Sequence, residues 1–367
     1  MASSNPRIIA FAKDWTDVST SITHIMREMG RTMPVLWINS IGTRKPEIGR
    51  SRDLGRMFRR LGAFFRRAEF KENNLRVMSL FLIPKAQSAF SRRLNRWLFR
   101  LQTARDLRDM GAGPIEYWCS VPNAVDLLPD AERGTRNADA IQSGVVGSGL
   151  SAGNEAVQGS LPAERGESTG NPRSAVVYYC IENWTEYPGL DNEWLGRKEE
   201  ELLRRADFVF THSRTLLARC SRVAGERARL VAHGVEHAKF ARALDPLLPV
   251  PADMAGLGRP IVGFYGTIHS WIDFDLVREL ARRRPNWNFV MIGPPRCDIS
   301  GFAAGGNVHF PGRREHDDLP SYCRCFDAVM IPYDMRDSRM KSVHPVKTKE
   351  VLSAGVPIVA SRLPELD

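Results

Sequence analysis

Short apolar runs alternate with segments of helical period along most of this chain. Ile8–Phe11 is the first run. Ile22, Ile25, Met26 and Met29 follow at helical spacing, Gly30 stops them, and Val35–Ile38 is the second run. A strand, a helix and a strand in that order open a parallel α/β domain. Leu75–Leu80, Ile115–Cys119, Ala175–Ile181, Asp207–Thr211 and Leu230–Ala232 read as further strands, with a helix from Trp194 to Arg205. The Pro- and Gly-rich stretch Leu247–Gly258 then breaks the rhythm as a hinge would.

Beyond the hinge the alternation restarts. Strands are predicted at Ile261–Tyr265, Asn288–Ile292, Val308–Phe310 and Ala328–Ile331, with helices near Asp273–Arg283 and Leu319–Cys325. A short helix starting at Pro345 and stopping at Gly355 leads into a last strand, Ile358-Val359-Ala360. The pattern therefore predicts one α/β domain over residues 1–246, a linker over 247–258 and a second α/β domain over 259–367. Asp130–Asn171 fits neither period. It is rich in Gly, Ser, Ala, Asn and Glu, contains no aromatic residue, and is expected to be a disordered insertion.

Charge changes this picture in one place. The formal net charge is +10, and arginine is densest between Arg50 and Arg108. There, Leu54, Met57, Phe58, Leu61, Phe64 and Phe65 predict an amphipathic helix over Asp53–Phe65, and Leu94, Trp97, Leu98, Leu101 and Leu107 predict another. Each carries arginines on the face opposite its apolar one. A helix packed on a sheet with a solvated charged face explains the pattern, and so does docking on anionic lipid headgroups. Nucleic acid is not expected as a partner, because no RNP, KH or zinc-finger signature occurs and the aromatics lie on the apolar side.

The six cysteines are scattered without a CxxC pair, and Cys323-x-Cys325 has the wrong spacing for a common zinc knuckle. The first fifteen residues lack a signal-peptide core, and no apolar run reaches the length of a membrane span. A cytoplasmic protein is expected, with any membrane contact peripheral, on the inner face of the cell membrane.

Candidate chemistry gathers at predicted strand ends. Asp14, Trp15 and Thr16 follow the first strand, at the carboxyl edge where parallel sheets bind ligands; capping the next helix is the competing role for Asp14. His212 and His233 also close strands, but no Cys/His spacing around them supports a metal site. The Gly266-Thr267 turn is either a phosphate contact or a plain tight turn. Lys347 and Glu350, three apart near a helix N-terminus, suit the phosphate and ribose of a nucleotide, or form an ordinary surface pair.

Several segments, in order, carry a more specific signal: IVGFYGTIHSWID, NWNFVMIGPP, NVHFPGRREHDDLPSYCRCFDAVMIPY and HPVKTKEVLSAGVPIVAS. They resemble the donor-binding domain of retaining GT-B glycosyltransferases of the family-4 type. IIAFAKDW, VVYYCIENWTEYPG, EEELLRRADFVFTHS and VAHGVE resemble the acceptor half of a bacterial surface-polysaccharide subset. The resemblance implies a GT-B fold, two Rossmann-like domains facing a cleft. It implies a nucleotide-sugar donor as substrate with no cofactor and no metal, and a glycan or lipid-linked acceptor. By position it makes Glu350 the ribose ligand and turns Lys347 to the donor phosphates. His344, Gly266, Thr267 and Arg313 complete the donor side, with Asp14, Trp15 and Glu182 on the acceptor side.

The chain departs from the family pattern at three points. Ser342 stands eight residues before Glu350, where a second glutamate is usual; the Arg–Lys pair expected after the first donor-domain strand is not evident in Gly266–Asp273; and the helices that close a GT-B fold are not seen before Asp367. The expectation is a retaining, metal-independent glycosyltransferase whose second domain is truncated. A non-catalytic GT-B-like subunit acting through a partner and a nucleotide-sugar epimerase are the competing readings.

Overall fold

The computed structural model describes residues 5–16, 20–41, 67–83, 88–129, 174–187, 189–302 and 306–366. The helix expected over 53–65 and the insertion expected over 130–171 lie outside the described residues. Two compact units emerge. One is drawn from Met1–Cys180, Pro188–Phe210 and Cys220–Arg229, the other from Ile181–Tyr187, Thr211–Arg219 and Leu230–Asp367.

The first unit is built on an eight-stranded sheet of order β3-β4-β2-β1-β5-β6-β7-β8. Its strands are β1 (Arg7–Phe11), β2 (Val35–Ile38), β3 (Glu69–Glu72), β4 (Leu75–Met78), β5 (Ile115–Cys119), β6 (Ala175–Cys180), β7 (Phe208–Thr211) and β8 (Ala228–Leu230). From β4 across β2, β1 and β5 to β6 the pairing is parallel. The central strands β1 and β2 are buried almost end to end, as parallel strands covered on both faces must be. That is why they read as unbroken apolar runs. β3 escaped the apolar pattern because EFKE is a polar edge strand, turned antiparallel onto β4 through Asn73 at φ 47°.

Helices α1 (Ser21–Met29), α2 (Ala89–Asp109) and α3 (Asn192–Arg205) accompany these strands, and α4 (Arg214–Ala224) is divided between the two units. α2 departs from expectation. Leu98 and Phe99 face the core, but Trp97 and Leu101, expected on the same apolar side, point to solvent. Its inner face is held by polar side chains instead. Asn95 Oδ1 accepts from Ile83 N–H at 2.8 Å while Asn95 Nδ2 donates to Ile83 O at 2.9 Å. Gln102 repeats the exchange with Phe81 at 2.9 and 3.0 Å.

The second unit carries a five-stranded sheet of order β11-β10-β9-β12-β13, every pairing parallel. These are β9 (Ile261–Tyr265), β10 (Asn288–Ile292), β11 (Val308–Gly312), β12 (Ala328–Ile331) and β13 (Ile358–Ala360). The helices are α5 (His237–Ala241), α6 (Phe274–Arg283), α7 (Leu319–Cys323) and α8 (Val346–Ser353). Alternate residues of one strand enter different cores: Ile261 and Tyr265 join Val290, Ile292 and Val329 on one face, while Phe264 joins Phe289, Met291 and Met330 on the other. The order reverses at β9, whose neighbours β10 and β12 lead to opposite edges. Ligands bind at the carboxyl ends of strands beside such a switch point.

Candidate donor site at the switch point of the second sheet

The chain leaves β9 at Gly266 and β10 at Gly293, and neither position tolerates a side chain. Gly266 sits at φ +131°, and a Cβ there would lie 2.7 Å from Lys347 Nζ. Gly293 sits at φ +144°, and its Cβ would lie 1.8 Å from the Gly266 carbonyl oxygen. Only glycine lets the two turns close on each other. Thr267 follows, half-buried.

α8 supplies the charged groups. Pro345 stands one residue outside the predicted start, as the N-cap, so Val346 is the first helical residue. Thr348 closes the first turn by donating its hydroxyl to Pro345 O at 2.7 Å. The N–H groups of the first turn carry partial positive charge that favours an anion. Lys347 Nζ lies 4.1 Å from the Phe264 ring centroid and 5.4 Å from that of Tyr333. Among the described residues it has no carboxylate partner. Aromatic faces stabilise an ammonium but do not neutralise it, so the site holds an uncompensated positive charge beside the Gly266 turn.

Glu350, one turn on, is only 9% exposed. Its Oε2 accepts from the Tyr265 hydroxyl at 3.1 Å and its Oε1 from His316 Nε2–H at 2.9 Å. His316 Nδ1 in turn accepts from Lys239 Nζ at 3.1 Å. Burial, with the Glu350 carboxylate next in weight, pushes the Tyr265 phenol well above its usual range, so it stays a donor. A carboxylate has about four acceptor positions. Two are used here, which leaves capacity for a pair of vicinal hydroxyls. Tyr265 and His316 were not singled out from the sequence; their only signal was position, directly before the Gly266 turn and shortly after β11.

The remaining candidates are placed less centrally. Arg313, after β11, is exposed and pairs with Glu315 at 3.5 Å. Ser342 is buried, and its Oγ donates to Arg339 O at 3.2 Å within the turn Ser338–Ser342. Glu182, expected on the acceptor side, belongs to the second unit, in electrostatic reach of Arg339. Arg339 pairs with Asp337 and lies over the rings of Trp271 and Tyr187, at 5.2 and 5.7 Å. Asp14 and Trp15 stay in the first unit, tying the loop after β1 to the loop after β2. Asp14 Oδ1 accepts from Ser40 N–H at 3.0 Å, and Trp15 N–H donates to Asn39 Oδ1 at 2.9 Å. Thr20, not Asp14, is the N-cap of α1.

His344 is part of a cluster invisible in sequence order. His212 and His233 stack with centroids 4.5 Å apart, and His344 tilts 5.7 Å from His233. His344 Nδ1–H donates to His212 O at 3.0 Å, and His212 Nε2–H to Ile181 O at 2.9 Å. Nδ1 of both His212 and His233 is buried with no hydrogen-bond partner among the described residues. Burial, helped by the neighbouring imidazoles and Lys349, pushes His233 down to about 3. Burial lowers His212 as well, so His212 and His233 are packed as neutral groups. Among the described residues no group of three or more His, Cys, Asp or Glu side chains is placed to hold a metal ion.

A five-stranded parallel sheet whose switch point carries glycine turns, an ammonium group and a buried carboxylate has the build of one half of the GT-B fold. The sequence agrees: residues 259–367 match the family model described as glycosyl transferases group 1. TuaH of Bacillus subtilis (strain 168), a protein assigned to teichuronic acid biosynthesis as a glycosyltransferase, is 28% identical over 204 residues. That match covers 52% of this chain and 51% of TuaH, so the chain spans about half the length of this curated relative. Among solved structures, sucrose-phosphate synthase from Thermosynechococcus elongatus is similar at a TM-score of 0.55 and 15% identity, over 97% of this chain and 82% of that one. Anabaena HepE, solved with UDP and glucose, is similar at a TM-score of 0.53 and 13% identity, over 97% and 80%. At these identities the likeness establishes the GT-B fold.

Proposed function

We propose that this protein transfers a sugar from a nucleotide-sugar to a glycan or lipid-linked acceptor, with retention at the anomeric carbon and without a metal. One observation carries the reading: the uncompensated Lys347 ammonium at the switch point, beside the Gly266 turn and the first turn of α8. In glycosyl transfer the bond between the anomeric carbon and the diphosphate oxygen breaks. Negative charge builds on the departing phosphate as the acceptor oxygen forms the new bond and gives up its proton. Lys347 and the α8 N-terminus are fixed dipoles and charge aimed at that phosphate, which need not reorganise as the charge develops. Glu350, held by Tyr265 and His316, takes the ribose hydroxyls, and His344 and Arg313 border the donor. UDP in HepE and the polymer pathway of TuaH support a uridine donor and an envelope-polymer acceptor. The place of work is the inner face of the cell membrane.

The test is nucleotide release from UDP-, GDP- and ADP-sugars in the presence of EDTA, with acceptor extracts added. Release from one donor, lost in Lys347→Ala, is expected; silence with every donor and extract overturns the reading. Ser342 favours a second one. With its hydroxyl spent on Arg339 O, the position usually given to a sugar-binding glutamate contributes no carboxylate. A non-catalytic nucleotide-binding subunit would hold UDP with no turnover and co-purify with a stoichiometric partner.

A further inference from the structure

α2 has two apolar sides, and the sheet uses only one. At about 100° per residue, the core-facing Asn95, Leu98, Phe99, Thr103 and Asp106 gather on one side of the helix. Phe90, Trp97, Leu101 and Ala104 form a strip on the other. This outer strip is open: Phe90 is 75% exposed, Trp97 57% and Leu101 50%. On the same projection Arg93 and Arg100 border the strip on one flank, Arg105 on the other, and Arg108 closes its C-terminal end; all four are exposed. Arg93, Arg100 and Arg105 have no carboxylate partner among the described residues.

The helix is not free to roll this strip inward. The paired amide contacts of Asn95 and Gln102 with the 81–83 backbone fix its rotation. Phe99 packs against Phe11 at 5.6 Å, and Asp106 lies 3.8 Å from Arg76. The outward face is set by the fold.

We infer that the outer face of α2 is a docking surface for a bilayer bearing anionic phospholipid headgroups. An apolar strip with cationic borders matches the boundary between acyl chains and headgroups. Trp97, Phe90 and Leu101 enter the acyl side, while the arginines reach phosphate on either flank with their stems lying along the strip. Leu101 and Ala104 in the middle of the strip offer nothing to a base edge or a phosphate, which disfavours nucleic acid. Among the described residues no helix is long and apolar enough to cross a membrane, so this face would work from the surface. The inference rests on the proposed membrane-side place of work and names the surface responsible.

The experiment is co-sedimentation of the full chain with vesicles of phosphatidylcholine alone or mixed with phosphatidylglycerol. UDP affinity is measured on the same samples by calorimetry, and folding is checked by circular dichroism. The parent should pellet only with the mixed vesicles. The variant Arg93→Gln/Arg100→Gln/Arg105→Gln should bind them about a hundredfold more weakly, at about 1 kcal/mol per basic residue. Trp97→Ser/Leu101→Ser should bind them at least about tenfold more weakly. Both variants should keep the parent's UDP affinity, since none of these residues lies in the donor site. Either variant sedimenting like the parent overturns the inference. So does equal binding to neutral vesicles, or displacement from mixed vesicles by short duplex DNA at equal charge. Vesicle binding without UDP affinity would leave this surface standing and refute only the donor site.

Discussion

The helices α2 and α8 both present positive charge, but in opposite settings. α2 spreads exposed arginines over several turns of open surface, with Trp97 and Leu101 between them. α8 places one of its two half-buried lysines, Lys347, between two aromatic rings, with glycine turns and a carboxylate around it. The first arrangement is screened within about 8 Å at physiological salt and recognises charge density more than shape. The second sits where solvent is partly excluded and the donors are fixed in place, so one charge is worth more there and accepts fewer ligands. Number of charges and strength of recognition run in opposite directions.

Four measurements break or sharpen that contrast. The largest effect is expected from Gly293→Ala. Its new methyl would run into the Gly266 carbonyl at a φ of +144°, so unfolding in denaturant should show a loss of about 3 kcal/mol or more. Arg105→Gln on α2 should change stability by less than about 0.5 kcal/mol. If the two substitutions cost the same, the paired glycine turns at Gly266 and Gly293 are not a rigid element. Next, Lys347→Ala should weaken nucleoside-diphosphate binding about tenfold to a hundredfold, the worth of one hydrogen bond to a charged group. Calorimetry in rising salt adds a second reading: α2-dependent vesicle binding should fall steeply, and Lys347-dependent binding much less.

Glu350→Gln keeps the shape but removes the negative charge, and should weaken UDP binding by about tenfold. Unchanged affinity for both UDP and ribose-free pyrophosphate would refute the ribose role. The smallest effect is the one read between pH 7.5 and 5.5. His233 is held neutral in the folded state, down to about 3, whereas an unfolded imidazole takes its proton near pH 6.5. Below that pH the unfolded chain binds more protons, so stability falls by up to about 1.4 kcal/mol per pH unit between about 6.5 and 3 and is unaffected above. Denaturant midpoints at pH 7.5 and 5.5 should differ less in His233→Asn than in the parent. An equal difference in both would locate the acid sensitivity elsewhere.

Most of the strands were legible as sequence because parallel strands buried on both faces must be continuously apolar, as β1, β2, β9 and β10 are. α8 was legible too, down to its stop at Gly355 and the three-residue spacing of Lys347 and Glu350. Such features depend on local period and local punctuation, which a single chain segment carries by itself. β3 was not legible, since a polar edge strand satisfies no apolar pattern, and neither was the short helix α5.

What only the tertiary structure decided were contacts between residues distant in sequence. His212, His233 and His344 each close or follow a separate element, and nothing local announces that their rings stack. Local sequence left Glu350 either a ribose ligand or half of a surface pair with Lys347; the fold buries it, enclosed by Tyr265 and His316. On α2 the apolar residues exceed what one face can hold. Period alone could not tell Leu98 from Trp97; the backbone at 81–83 decided which side turned inward, because its N–H and C=O groups needed Asn95 and Gln102 as partners.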